Sequence, residues 1–120
     1  MTAKAKGQPV STEARATLDR IREALAGRHL REVRMFGAVA VMLDGAMAVA
    51  VHQDGSLLVR VDPARDADLV TRPGAARATM GSDRSMGPGW IHVRAPSVSH
   101  DAALAGWLDL ATTYLCQRAL

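Results

Sequence analysis

The side chains best able to do chemistry in this 120-residue chain are four histidines, one cysteine and scattered serines and acids. The histidines are His29, His52, His92 and His100, and no two of them have the i, i+4 spacing of a metal pair on one helix face. None shares a short run with carboxylates at ligand spacing. We therefore expect neither a metal site nor a bound cofactor.

The candidate nucleophiles are equally isolated along the chain. Cys116 follows the apolar Leu115 in a helical pattern, and no nearby histidine could activate its thiol, so we expect a buried or half-buried structural cysteine. The serines lack the G-x-S-x-G pattern of a hydrolase nucleophile. We therefore predict no catalytic residue and no enzyme activity.

Two residues are harder to assign to a purely structural role. Arg60 lies in an apolar run, where a charged group has to extend to water, form an ion pair or contact a partner. Trp90 begins another apolar run, and we interpret it either as a core residue, the more common role, or as a platform for a ligand. Both residues are therefore candidates for binding.

The charge of the chain is unevenly distributed. The net charge is +3, and residues 1–34 hold an excess of Lys and Arg over acids while the remainder does not. Because basic and acidic residues alternate there, a solvated helix face is favoured over a phosphate-binding surface. A nucleic-acid interface on the basic first helix, with Arg20 and Arg28 as contacts, stays as the alternative.

Hydrophobic periodicity predicts the elements that position these residues. Apolar residues at helical spacing follow Ser11, a candidate N-cap, and predict a first helix that ends near Gly27. Strands are predicted over 34–43, 46–51 and 57–61, separated by Asp44-Gly45 and Asp54-Gly55, the strongest short hairpin signals.

The second half of the chain continues the pattern with a short helix, two strands and a final helix. The short helix begins after Asp62 and runs to about Val70, the strands cover 77–80 and 90–94, and the last helix follows Ser99. The predicted order is α-β-β-β-α-β-β-α. We predict an α+β, two-layer sandwich with a largely antiparallel five-stranded sheet under the N- and C-terminal helices.

Two-residue turns would determine which side chains share a face of the sheet. One face is almost wholly apolar and should lie under the two helices. The opposite face is also mostly apolar, and it is expected to carry the residues Phe36, Met42, Met47, Val49, Val51, Leu58 and Arg60. Either the middle helix or the loop 81–89 covers this face, or it binds a second copy or a protein partner.

Composition and length limit the organisation of the chain. Hydrophobic residues make up 48% of the chain but aromatic residues only 3%, which indicates a core of small and branched side chains. We expect a mobile tail at 1–10 and one domain at 11–120. We expect no membrane segment and no signal peptide, and together with the single cysteine this favours the cytoplasm.

A set of short motifs in a fixed order covers about residues 34–115. The motifs are Arg34-Met35-Phe36-Gly37, Leu43-Asp44-Gly45-x-Met47, Asp54-Gly55-x-Leu57, Arg72-Pro73-Gly74, Met86-x-x-Gly89-Trp90-Ile91-x-Val93 and Asp101-x-x-Leu104-x-x-Trp107. Together they resemble the N-terminal domain of the bacterial TfoX/Sxy family.

That resemblance implies a two-layer α/β fold and no established catalytic motif. Full-length members of the family regulate natural competence together with the cyclic-AMP receptor protein, and they carry a second, C-terminal domain. Since the sequence ends at Leu120, shortly after the last predicted helix, we expect that second domain to be absent. We predict a non-catalytic interaction or regulatory module; the alternatives are a nucleic-acid binder and a small-molecule-binding domain near 81–90.

Overall fold

The computed structural model describes residues 10–35, 37–80 and 84–118. Three α-helices lie in these ranges: α1 Thr12–Ala24, α2 Asp66–Leu69 and α3 Asp101–Arg118. Two short 3₁₀ helices, Pro63–Arg65 and Ala95–Val98, precede α2 and α3.

Eight strands connect these helices. They are β1 Leu30–Met35, β2 Ala38–Leu43, β3 Ala46–Val51, β4 Leu57–Arg60, β5 Ala75–Arg77, β6 Thr79–Met80, β7 Arg84–Ser85 and β8 Trp90–Val93. Six of them form one antiparallel sheet in the order β1-β2-β3-β4-β8-β5, and β6 and β7 pair separately. The predicted α+β class, the element order and the two terminal helices are confirmed.

The main core lies between the helices and one face of the sheet, called here the core face. It contains Ile21 of α1, Leu108 of α3 and Leu69 of α2, each 2% exposed or less. The sheet contributes mainly valines, such as the fully buried Val59 and Val93. Branched aliphatic side chains suit both the pleated strand and this packed layer.

The hairpin predicted at Asp44-Gly45 is present. Asp44 has φ +52° and Gly45 has φ +89°, the left-handed pair that a tight turn between twisted strands requires. Leu43 and Ala46 face each other across the closing pair, as predicted. At this end of the sheet the local sequence is sufficient to determine the turn.

Two other strand predictions differ from the structure. The predicted first strand is two strands, β1 and β2, because the chain reverses at Gly37 with φ +78°, and this raises the strand count of the main sheet from five to six. The Asp54-Gly55 turn is longer than two residues, since Leu57 pairs with Val51 and not with His52. The backbone N–H of His52 instead donates to the carbonyl of Ser56 at 2.9 Å.

Candidate functional site

The face of the sheet that lies away from the helices, called here the second face, has a floor of buried alanines. Ala38, Ala40 and Ala50 are 9%, 0% and 4% exposed, and the half-buried Met42, Met47 and Leu58 pack against them. Within the described residues, this apolar cluster is made only of side chains from β2, β3 and β4. Three of the predicted face residues, Met42, Met47 and Leu58, therefore do share this surface.

The predicted placement of Val49 and Val51 on the second face is wrong. Both are 0% exposed and belong to the main core, whereas Ala50, predicted for the core face, lies on the second face. The cause is a β-bulge: Met42 pairs with Met47 but Val41 pairs with Val49, which leaves the residue between them unpaired and inverts the alternation beyond it. The predicted face residue Phe36 lies outside the described residues.

Edge strand β1 extends the second face. Val33 is opposite Ala40 and Met35 is opposite Ala38, and directly opposed residues in an antiparallel pair point to the same side. Val33 is half-buried, whereas Met35 is 37% exposed and is the exposed large hydrophobic residue of the described chain. A cleft of about 690 Å³ runs along this side, lined by these two residues and Met42 among others.

Arg60 lies opposite Trp90 at the ends of β4 and β8. Its guanidinium carbon is 4.5 Å from the centroid of the Trp90 ring and 5.5 Å from that of Tyr114 on α3. The Nε of Arg60 is buried without a hydrogen-bond partner in the described part of the chain. The arginine is therefore held by two aromatic faces, an arrangement that stabilises a cation without neutralising its charge.

The β6–β7 side of the molecule covers only one end of the second face. Leu58 and His92 line a cleft of about 370 Å³ together with Ala78, Thr79 and Met86. The middle helix does not cover this face as one alternative supposed, because Leu69 of α2 packs into the main core. Of the two suggested covers, only the region around the 81–89 loop contributes, through its described residues.

A polar cluster in this cleft was missed by the sequence reasoning. The Ser56 hydroxyl donates to Oδ1 of Asp54 at 2.6 Å, and His92 Nε2 lies 3.1 Å from the same hydroxyl oxygen. The rings of His52 and His92 have centroids 5.7 Å apart. The histidines are far apart in sequence and meet only because β8 pairs with β4, so no local spacing could have indicated the cluster.

The directions of the hydrogen bonds in this cluster argue against Ser56 as a nucleophile. Because the single hydroxyl proton of Ser56 points to Asp54, His92 donates to Ser56 from Nε2–H and does not accept a proton from it. Ser56 is also only 2% exposed. In a serine nucleophile activated by a histidine base, the hydroxyl donates its proton to the histidine, which is the reverse of the direction found here.

The ionisation of the cluster follows from its surroundings. Burial, and secondarily the nearby His92, lower the pKa of His52 below its ordinary value of 6.5. The hydroxyl and backbone N–H of Ser56 both donate to Asp54 and lower the pKa of that carboxyl group. At neutral pH the cleft therefore holds a neutral His52 beside an ionised Asp54.

The residues proposed for a nucleic-acid or ligand contact have different surroundings. Arg20 donates to Asp101 at 2.9 Å and to the carbonyl of Ser99 at 3.2 Å, so it ties α1 to the start of α3. Arg28 is exposed beside a separate cleft that is also lined by Cys116. Cys116 is itself exposed, which corrects the expected buried or half-buried thiol: it points away from the apolar stripe of α3.

In the described ranges, no group of three or more His, Cys, Asp or Glu side chains is arranged to hold a metal ion. None of the helices in the described part of the chain combines the length and hydropathy needed to cross a membrane.

The fold and the exposed sheet face define a small α+β domain with an antiparallel sheet, one face of which lies under two helices. The model of the TfoX N-terminal domain family matches residues 24–114, most of the chain. The chain therefore belongs to the TfoX N-terminal domain family. Comparison with curated proteins and with solved structures gives no significant match.

Proposed function

We propose that this chain is a non-catalytic, cytoplasmic interaction module that binds a protein partner on the second face of its sheet. The observation that carries the proposal is the apolar cluster of Met42, Met47 and Leu58 over a floor of alanines, to which no other described element contributes. Small residues under flexible methionines form a shallow surface that can adapt to an apolar segment of another protein.

The charges around this surface indicate the chemistry of the partner. Arg31 is opposite Met42 and so lies on the second face, whereas the guanidinium of Arg60 lies between Trp90 and Tyr114 of α3. No carboxylate is found among the described strand residues of the second face. A partner that combines apolar side chains with carboxylates would satisfy both features, whereas a second copy docked face to face would oppose like charges.

The test compares the wild type with Met47→Glu and with Ala105→Glu, a matched control on the exposed side of α3. Immobilised chains capture proteins from a bacterial lysate, and each protein lost only with Met47→Glu is purified and titrated by calorimetry. We expect Met47→Glu to weaken binding at least tenfold and Ala105→Glu to leave it unchanged. Equal binding to all three chains would remove the second face from the interaction.

Membership of the TfoX N-terminal domain family supports a finer role in regulating transcription, including that of competence genes, because full-length relatives act there. Under this proposal the partner on the second face is a promoter-bound regulator. Transcript profiles of a deletion strain complemented with wild type or Met47→Glu test it. Identical profiles from both strains would contradict a regulatory role for this surface.

The cleft that contains His52 and His92 supports a second candidate function, the binding of a small molecule. Its volume of about 370 Å³ falls within the range of ligand pockets, and it combines apolar walls with a few convergent polar groups. A metabolite panel screened by thermal shift, with His92→Phe as the comparison, tests this candidate. A panel that stabilises neither chain, or both equally, would argue against a ligand at this cleft.

A further inference from the structure

Edge strand β1 has a backbone ladder on one side only. Within the described residues, β1 pairs with β2 and no strand lies on its outer side. The N–H of Asp44 donates to the carbonyl of His29 at 3.5 Å. His29 and Asp44 are therefore a hydrogen-bonded pair, directly before the first strand pair of Leu30 with Leu43. Because hydrogen-bonding direction alternates along a strand, the odd-numbered residues of β1 bond to β2, while Leu30, Glu32 and Arg34 direct their N–H and C=O groups outward.

The side chains along this edge have unequal surroundings. Glu32 accepts from Arg22 at 2.5 Å and 2.7 Å through both carboxylate oxygens, and these bonds lower the pKa of Glu32. Arg34 is exposed and has no ion-pair partner among the described residues. Between them, Val33 points to the second face. The edge thus presents an acid, an apolar residue and an unpaired arginine in sequence.

We propose that two copies of the chain associate by antiparallel pairing of β1 with β1, with Val33 of each copy at the two-fold axis. The two six-stranded sheets then become one continuous sheet. This inference is independent of the proposed binding function, and it leaves most of each second face open to another protein.

The charges and the length of β1 together select this register. Outward-directed residues can hydrogen-bond only to outward-directed residues, so the two-fold axis must pass through a residue and not between two residues. Axes through Arg31, Glu32 or Arg34 would oppose two identical charges on the axis. An axis through Val33 instead places each Glu32 opposite the other copy's Arg34. Axes through Leu30 or Met35 also avoid opposed like charges, but they lie at the ends of β1 and leave most of the strand unpaired. The Val33 axis pairs residues 31–35 of both copies without opposing like charges.

Charged residues on an edge strand commonly prevent pairing with other chains. Here the order Arg-Glu-Val-Arg becomes self-complementary in one arrangement, so the same charges that reject other registers favour this one. The unpaired Arg34 would gain Glu32 of the other copy, which Arg22 already orients. The two Val33 side chains would also meet on the second face, and each Met35, 37% exposed, would lie opposite the aliphatic stem of Arg31.

Charge reversal tests the register directly. Size-exclusion chromatography with light scattering should give wild type a mass of twice 12.8 kDa. Arg34→Glu opposes two acids and Glu32→Arg opposes two arginines, so each variant alone should be monomeric. Mixing the two variants restores opposite charges at both positions, and the mixture should return to the dimer mass. Thermal unfolding of each variant confirms that it is folded.

Three outcomes would overturn the proposal. The first is a wild-type monomer at every protein concentration tested. The second is a dimer that persists in both single variants, which would place the interface elsewhere, and the third is a mixture of folded variants that stays monomeric. Met47 lies on β3, which β2 separates from the edge strand β1. Met47→Glu should therefore leave the dimer mass unchanged, which distinguishes this interface from the proposed partner surface.

Discussion

Arg77 donates from Nε to Oδ2 of Asp66 at 2.8 Å, and the side chain of Asp66 is only 2% exposed. The other carboxylate oxygen, Oδ1, accepts from the backbone N–H of Gly89 at 3.0 Å. One buried carboxylate thus joins α2, β5 and the turn that leads into β8. It ties β5 and β8, the last two strands on one side of the sheet, to α2 beside the cleft that contains His52 and His92.

Asp66→Ala should lower the free energy of unfolding by about 2–4 kcal/mol, since it leaves a buried N–H unpaired and removes the partner of Arg77. Urea unfolding provides the measurement. Asp68→Ala is the matched control, because the side chain of Asp68 is 71% exposed and its contact with Arg65 is long at 3.4 Å. Its effect should stay within about 0.5 kcal/mol. Equal effects of the two variants would contradict a structural role for Asp66.

Gly74→Ala should destabilise the fold more than Gly87→Ala. Both glycines have positive φ, +77° and +89°, so each substitution carries a backbone penalty of about 1–2 kcal/mol. A Cβ at Gly74 would also collide with the side chain of Ser97, whose Cβ lies 2.6 Å away, whereas nothing lies within 4 Å at Gly87. Adding Ser97→Gly to Gly74→Ala should restore the stability lost through the collision, but not the stability lost through the positive φ. Differential scanning calorimetry of the four chains measures the difference.

Stability should fall as the pH drops below about 6.5, the ordinary pKa of histidine. The folded chain binds protons at His52 less readily than the unfolded chain because burial lowers the pKa of this residue. Protonation therefore favours unfolding between 6.5 and the lower folded pKa, and the loss is complete below that value. The lowered pKa values of Asp54 and Glu32 act in the same direction but at more acidic pH.

His52→Gln should flatten the stability curve between pH 7.5 and 5.5 while leaving the acid limb below pH 4 in place, where the carboxylates titrate. Chemical unfolding at a series of pH values measures the curve. His100→Gln, at an exposed position, serves as the control and should follow the wild type. A curve for His52→Gln that coincides with wild type in this interval would rule out His52 as the titrating group.

Arg60→Met should change the free energy of unfolding by less than about 1 kcal/mol. The substitution loses the cation–π contacts with Trp90 and Tyr114, but it keeps an apolar stem and removes the buried, unpaired Nε. Trp90→Ala should cost about 3 kcal/mol, because it removes a large half-buried ring. Urea unfolding measures both variants, and a large loss of stability in Arg60→Met would contradict the prediction.

The elements of this protein were predictable wherever local geometry determines them. The turn at Asp44-Gly45, the N-cap at Ser11, whose hydroxyl accepts from the N–H of Ala14 at 3.0 Å, and the short helix after Asp62 all depend on residues a few positions apart. The family resemblance was likewise carried by short motifs in order. Local patterns therefore indicated the α+β class, the order of elements and the two terminal helices.

Local sequence patterns could not show on which face of the sheet the side chains of β3 lie after the Asp44-Gly45 turn. The bulge opposite Val41 and Met42 inserts one residue into β3, and a single insertion moves Val49 and Val51 from one face to the other. Both turn signals have the same Asp-Gly sequence, yet only one makes a two-residue turn, because the other binds its own Asp54 to Ser56. Sequence periodicity assumes an uninterrupted ladder and cannot locate such an insertion.

By itself, the sequence determined that the chain forms a domain of small and branched residues, with hairpins, two terminal helices and more apolar sheet surface than two layers require. Only the tertiary structure decided which residues occupy that surface. It also brought His52 to His92 and Arg77 to Asp66, because pairing between distant strands depends on the whole sheet. Local residue types determine the turns and periods, whereas register and long-range strand order arise from the packing of all the elements together.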